Sequence, residues 1–223
     1  MSFEMGDVLK VVDRWTLSQA GRVRDRRSDA GELQTALQLL GGALGRKVVS
    51  RFGLVEGEVE TPMGERVLVP VSRLGLTVVA TTLGDSESLG MGLRQELPAP
   101  LAAHMDFGNA RGNEALTGPV RSMVFPESGS SRVDLVVVGK AVLASGCTAL
   151  RLARELEQYY RPNIMVIVAV WYSAEALEMV RSNLPAAHVI VVGEPDRLDA
   201  SGMLMPGIGL LEERLDDTGA GCT

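Results

Sequence analysis

The sequence predicts an α/β fold in which a parallel sheet is flanked by helices. Two observations carry that reading. After Asp134, apolar runs of strand length alternate with stretches whose apolar residues recur at helical spacing. The runs, such as "LVVV", "IMVIVAV" and "HVIVV", are apolar at successive positions rather than at every second one. Strands of that kind are buried on both faces, as parallel strands joined by right-handed helical crossovers are. The 223 residues, 46% hydrophobic and 22% charged, suffice for a single domain over 1–223 with a sizeable core.

Taken in order, residues 1–50 are polar and arginine-rich and predict a helical arm. Its helix runs over 30–49, where Leu33, Leu37, Leu40 and Leu44 fall on one face and Leu39 widens it. A strand follows around Val59, then a Pro62-Met63-Gly64 turn and a buried strand over 67–71. Ser72, Arg73, Leu74 and Gly75 form a second turn before the strand at 76–83. Residues 84–131 are rich in Gly, Pro, Asn and Ser and predict a hairpin or loop insertion. Within it, 102–107 and 119–124 pair around "GNARGNEALTG". Strands are expected over 135–138, 164–170 and 188–192, and helices over 147–160 and 174–184. A turn-rich stretch over 193–215 and a flexible tail over 216–223 complete the chain. Ligands of such sheets collect beyond the carboxyl ends of the strands.

Charge and composition exclude several classes. A net charge of -6 argues against a nucleic-acid binder. Only Lys10, Lys47 and Lys140 are lysines, so arginine carries most of the positive charge and suits bidentate phosphate contacts. Cys147 and Cys222 form neither a disulfide framework nor a metal cluster, as expected of a cytoplasmic protein. The acidic start is unlike a signal peptide, and no apolar run is long enough to span a membrane.

The stretch "VDLVVVGKAVLASGCTALRLARELE" joins a buried strand to a helix through Ala144, Ser145, Gly146, Cys147 and Thr148. Such a turn aims backbone N–H groups and the positive helix end at one point, which suits a phosphate. Ser145 and Thr148 add hydroxyl donors, and Gly146 permits close approach. No Gly-Lys-Ser/Thr follows, so it is not a Walker A loop. A plain strand-to-helix turn with a capping hydroxyl reads equally well from these residues alone.

Five segments in order carry a resemblance. "VVVGKAVLASGCT" resembles the phosphoribosyl-diphosphate loop VVVDPMLATGGS of uracil phosphoribosyltransferases. "EVETPMG" resembles that family's E-x-x-TP-x-G segment, "VPVSRLGL" its VPILRAGL and "GMLMPGIGLLEER" its GYIVPGLGDAGDR. "RVRDRRSDAGELQTAL" is similar to its LRDK-x-T segment. The resemblance implies a type I phosphoribosyltransferase-like fold with a β-hairpin arm and a C-terminal hood loop. It further implies a homodimer in pyrimidine salvage that acts on phosphoribosyl diphosphate or a nucleotide and on a pyrimidine-like base.

Carried over by residue, Ala144, Ser145, Gly146, Cys147 and Thr148 would hold the ribose phosphate. Arg73 and Arg111 would contact the diphosphate. Leu204, Pro206, Gly207 and Gly209 would form the base pocket, read through main-chain groups. Arg73 and Lys140 are the expected catalytic residues. The family's magnesium would be weakly held, because its aspartates are replaced by Lys140 and Leu210, and no protein metal ligand is assigned. Leu74 and Cys147 depart from the pattern as well. Three readings stay open: an active transferase, a homologue that binds a nucleotide or sugar phosphate without turnover, and different chemistry in the same pocket.

Overall fold

The computed structural model describes residues 6–129 and 132–216. Its first strand, β1 (Val8–Val11), lies at one margin of the main sheet. Two helices follow, α1 (Arg14–Arg24) and α2 (Ala30–Val48). Asp13 caps α1 by accepting from the Thr16 amide. Asp29 and Glu32 form a reciprocal capping box on α2. A wide turn over Val49–Gly53 leads to a hairpin of β2 (Leu54–Glu60) and β3 (Arg66–Ser72).

The chain then enters the sheet through β4 (Leu76–Thr82) and crosses by α3 (Leu83–Asp85) and α4 (Met91–Glu96) to β5 (Pro100–Asp106). After α5 (Gly112–Thr117) come β6 (Ser122–Val124) and the longest strand, β7 (Val133–Leu143). The pattern continues as α6 (Cys147–Tyr160), β8 (Ile164–Tyr172), α7 (Ala174–Asn183) and β9 (His188–Val192). A small ribbon of β10 (Arg197–Leu198) and β11 (Leu204–Met205) precedes α8 (Leu211–Asp216).

The seven-stranded sheet has the order β1-β9-β8-β7-β4-β5-β6, parallel throughout except for β6. Its two faces carry separate cores. Val136, Val138, Ile167 and Val189 face α5, α6 and α7, while Leu135, Val137, Val166 and Val168 face α1, α2 and α4. Burying each such side chain stabilises the fold by about 1.5–3 kcal/mol, which explains why these runs are apolar at every position.

Four expectations change. The N-terminal segment is not wholly a helical arm, since β1 pairs with β9 in the sheet. Residues 67–71 are not a buried strand; they belong to β3, whose hairpin with β2 is largely exposed. The β-hairpin arm is therefore 54–72 rather than 84–131. Residues 104–106 and 122–124 do pair antiparallel, but as the margin of the main sheet, with α5 between them. Finally, the apolar face of Leu33, Leu37, Leu40 and Leu44, from its sequence a candidate dimer element, is buried within this chain. The expected tail beyond Asp216, with Cys222, lies outside the described residues.

Candidate active site

The carboxyl end of β7 extends to Leu143 and turns through Ala144, Ser145 and Gly146 into α6. Gly146 has φ 80°, a left-handed conformation in which a side chain is strained, and a Cβ there would meet the Ala176 carbonyl at 3.1 Å. The opening amides of α6 lack helical partners, so the loop can receive an anion. The turn is fixed from below by Ser173, which is fully buried. Its hydroxyl donates to the Ala144 carbonyl at 2.6 Å and accepts the Ala176 amide at 2.8 Å, capping α7. Ser145 is exposed and Thr148 half-buried. Cys147 is 5% exposed, so its thiol is packed inward rather than standing free in the loop.

Lys140 lies on β7 before this turn and is not an unopposed charge. Its Nζ is 2.5 Å from Asp85 Oδ2 and 2.7 Å from Thr82 Oγ1. Thr82 also donates to Asp85 Oδ2 at 2.9 Å, and the Ala141 amide reaches Oδ1 at 3.4 Å. Asp85 stands on the segment after β4, the strand beside β7, and is 5% exposed. The reversed charge expected at Lys140 is thus neutralised by a neighbour 55 residues earlier. A Cβ on Gly84 would lie 3.1 Å from Glu212 Oε1, so α8 rests against this segment.

The C-terminal hood is built over 196–214. Gly207 has φ 61°, and a Cβ there would lie 2.1 Å from the Leu204 carbonyl, which only glycine permits. Gly209 is also left-handed at φ 72°. Leu204 and Ile208 are buried in the core that includes Trp171, while Pro206 and Gly209 face outward. Asp196, 9% exposed, accepts two bonds of 2.9 Å from Arg24 and one of 3.3 Å from the Gly207 amide. Arg24 and Arg214 donate to the Gly207 and Ile208 carbonyls at 2.9 and 2.8 Å. Nearby, the Tyr172 hydroxyl donates to the Gly193 carbonyl at 3.0 Å, and burial raises its pKa, keeping it a neutral donor.

The carboxyl edge of the sheet therefore carries Lys140, the 144–148 turn and, after β9, the segment leading to the hood. Arg73 is elsewhere. Its amide donates to the Gly53 carbonyl, and Leu76 begins β4 beside Val133, the first residue of β7. Arg73 thus stands at the amino edge, roughly 30 Å along the strands from Ala144. Arg111 immediately precedes α5, exposed, on the loop after β5. It shares the correct edge but lies two strands from β7, on neither the hairpin arm nor the turn. Sequence reasoning missed Asp85, Arg24 and Asp196. Of these, Arg24 lies within the "RVRDRR" stretch of the resemblance and Asp196 just beyond an apolar strand, whereas Asp85 carried no signal.

An α/β sheet whose carboxyl edge joins a glycine turn at a helix start to an anchored hood places the candidate site where ligands of such sheets collect. The family model described as uracil phosphoribosyltransferase matches residues 14–218, and the chain belongs to that family. A uracil phosphoribosyltransferase of Pyrobaculum islandicum is 27% identical over 216 residues, covering 94% of this chain and 99% of its own. That of Clostridium tetani is 24% identical over 224 residues, covering 96% and 100%. The fold is shared with the AQ2163 protein of Aquifex aeolicus at a TM-score of 0.77 and 22% identity, covering 96% of this chain and 100% of that one.

Proposed function

We propose that this chain transfers the phosphoribosyl group of phosphoribosyl diphosphate to uracil or a related heterocycle, releasing diphosphate. The observation that carries this reading is the Gly146 turn at the carboxyl end of β7, braced by Ser173. Residues 144–148 receive the ribose phosphate. Leu204, Pro206, Gly207 and Gly209 form the base side, and Lys140, its charge balanced by Asp85, stands beside the loop. Arg73 takes no part. Arg111 stays a candidate for the diphosphate only as an exposed cation on the loop after β5. A pyrimidine nitrogen attacks the anomeric carbon as its bond to diphosphate breaks, so the chain's contribution is positioning, charge and exclusion of water.

The donor set around β7 does not fit a magnesium ion held by the protein. An ammonium occupies the strand position, and the carboxylate beside it already accepts from Lys140 and Thr82. We also propose a cytoplasmic homodimer. The exposed apolar residues of the hairpin, Leu54, Val55, Val59, Met63, Val67 and Leu68, support the dimer. No helix among the described residues is long and apolar enough to cross a membrane.

Mass spectrometry after incubation with uracil and phosphoribosyl diphosphate tests the reaction. Uridine monophosphate and diphosphate are expected in equal amounts. Their absence at micromolar enzyme and long incubation would sink the proposal.

A further inference from the structure

We infer that Arg24 and Asp196 form a positioning clasp for the base loop, holding the Gly207 peptide so that the hood offers one fixed hydrogen-bonding edge. The identity of the ligand rests on the transferase reading above; the clasp itself rests on geometry. Arg24 Nη1 and Nη2 each lie 2.9 Å from a different oxygen of Asp196, the planar fork that arginine makes and lysine cannot. The same pair then grips both main-chain groups of a single residue. Arg24 Nη1 donates to the Gly207 carbonyl at 2.9 Å, and Asp196 Oδ2 accepts the Gly207 amide at 3.3 Å.

This is not a solvated surface pair. The Asp196 side chain is 7% exposed and that of Arg24 is 31% exposed. A second arginine closes the other side. Arg214 donates to the Ile208 carbonyl at 2.8 Å and, at the end of α1, to the carbonyls of Val23 and Asp25 at 2.6 and 2.7 Å. The hood is thereby tied twice to one helix end.

Gly207 has no side chain to orient its own peptide, and its left-handed φ is open to no other residue without strain. The orientation must come from outside. The clasp also consumes the Gly207 amide and carbonyl and the Ile208 carbonyl, while none of its bonds uses the main chain of Gly209. The Gly207 N–H belongs to the peptide before it and its carbonyl to the peptide after it, so rotating either peptide breaks one grip and exchanges donor for acceptor along the edge that meets a base. A site that discriminates by hydrogen bonding loses affinity steeply when those groups are misplaced.

Arg24→Gln, Arg24→Lys, Asp196→Asn and the swapped pair Arg24→Asp with Asp196→Arg test this. In the unliganded protein, amide exchange over 207–209 should quicken about tenfold or more in Arg24→Gln, with β7 and β8 unchanged. In turnover, KM for uracil should rise about tenfold or more, while KM for phosphoribosyl diphosphate stays within about twofold and kcat falls less than about threefold. Arg24→Lys should keep only part of the uracil affinity, and the swapped pair should recover part of what Arg24→Asp loses. Unchanged exchange over 207–209, or equal rises in both KM values, overturns the clasp. If the wild type makes no nucleotide, the transferase reading fails, and exchange in the unliganded protein still decides the clasp. Should Arg24→Gln not fold, Arg24→Lys supplies the same comparison.

Discussion

Lys140 and Asp85 are 55 residues apart in the chain and 2.5 Å apart in the fold. Beside the family's loop pattern, the lysine reads as a reversed charge; its partner is non-local, and no spacing rule connects the two. Because Asp85 is buried, Lys140→Met leaves a carboxylate without its counter-charge and should cost about 3–5 kcal/mol in denaturant unfolding. Adding Asp85→Leu should recover most of that loss, since a buried pair replaced by apolar groups is often near neutral. Lys140→Asp places two carboxylates together. Its Tm should then rise on adding magnesium, while the wild-type Tm should not. Tyr160 supplies a pH dependence. Burial pushes its phenol up to about 12, and it donates to the Pro126 carbonyl at 2.6 Å. The folded state keeps this proton where the unfolded chain, with a pKa of about 10, loses it. That stabilisation is present below pH 10 and is lost as the pH rises toward 12. The alkaline fall in Tm should therefore be shallower in Tyr160→Phe than in the wild type.

Strands β7, β8 and β9 and helices α6 and α7 were legible because burial on both sheet faces, or on one helix face, writes itself locally as an apolar run or a 3.6-residue period. The two strands and the turn of the β2–β3 hairpin were legible as well, but its exposure was not. Val67, Leu68, Val69 and Val71 read as a core strand, yet the structure leaves this ribbon outside the main sheet. That misreading also misplaced Arg73. A residue after an apolar strand reads as lying at a carboxyl end, but β3 is not a strand of the main sheet, and the next one, β4, only begins at Leu76. The partner of α2 was equally hidden, because its contact with α4 is made through glycines. A methyl on Gly92 would lie 1.9 Å from the Gln38 carbonyl, and one on Gly41 2.2 Å from the Leu89 carbonyl. Gly92→Ala must push the two helices apart and should cost about 1–3 kcal/mol, read as a lower midpoint in urea with an unchanged m-value. An unchanged midpoint would mean that the helices separate freely.

Across the whole molecule, the 144–148 turn and the hood were legible because each depends on glycine, joined in the hood by Pro206, and such backbone roles show in a single chain. The sequence could not locate the ion pairs that anchor them, since Arg24 and Asp196 meet only through the fold. The apolar hairpin points to association between copies. Leu68 is 73% exposed in the single chain, so Leu68→Glu should convert a dimer into a monomer in sedimentation velocity. A wild-type monomer at micromolar concentration would remove the basis for that proposal. The placement of the ligand is tested most directly by amide exchange of the wild type with and without uridine monophosphate. Slower exchange is expected over 144–148 and 204–209, with none around Arg73. Protection confined to 73–76, or no protection anywhere at saturating nucleotide, would contradict the site at the carboxyl edge of β7.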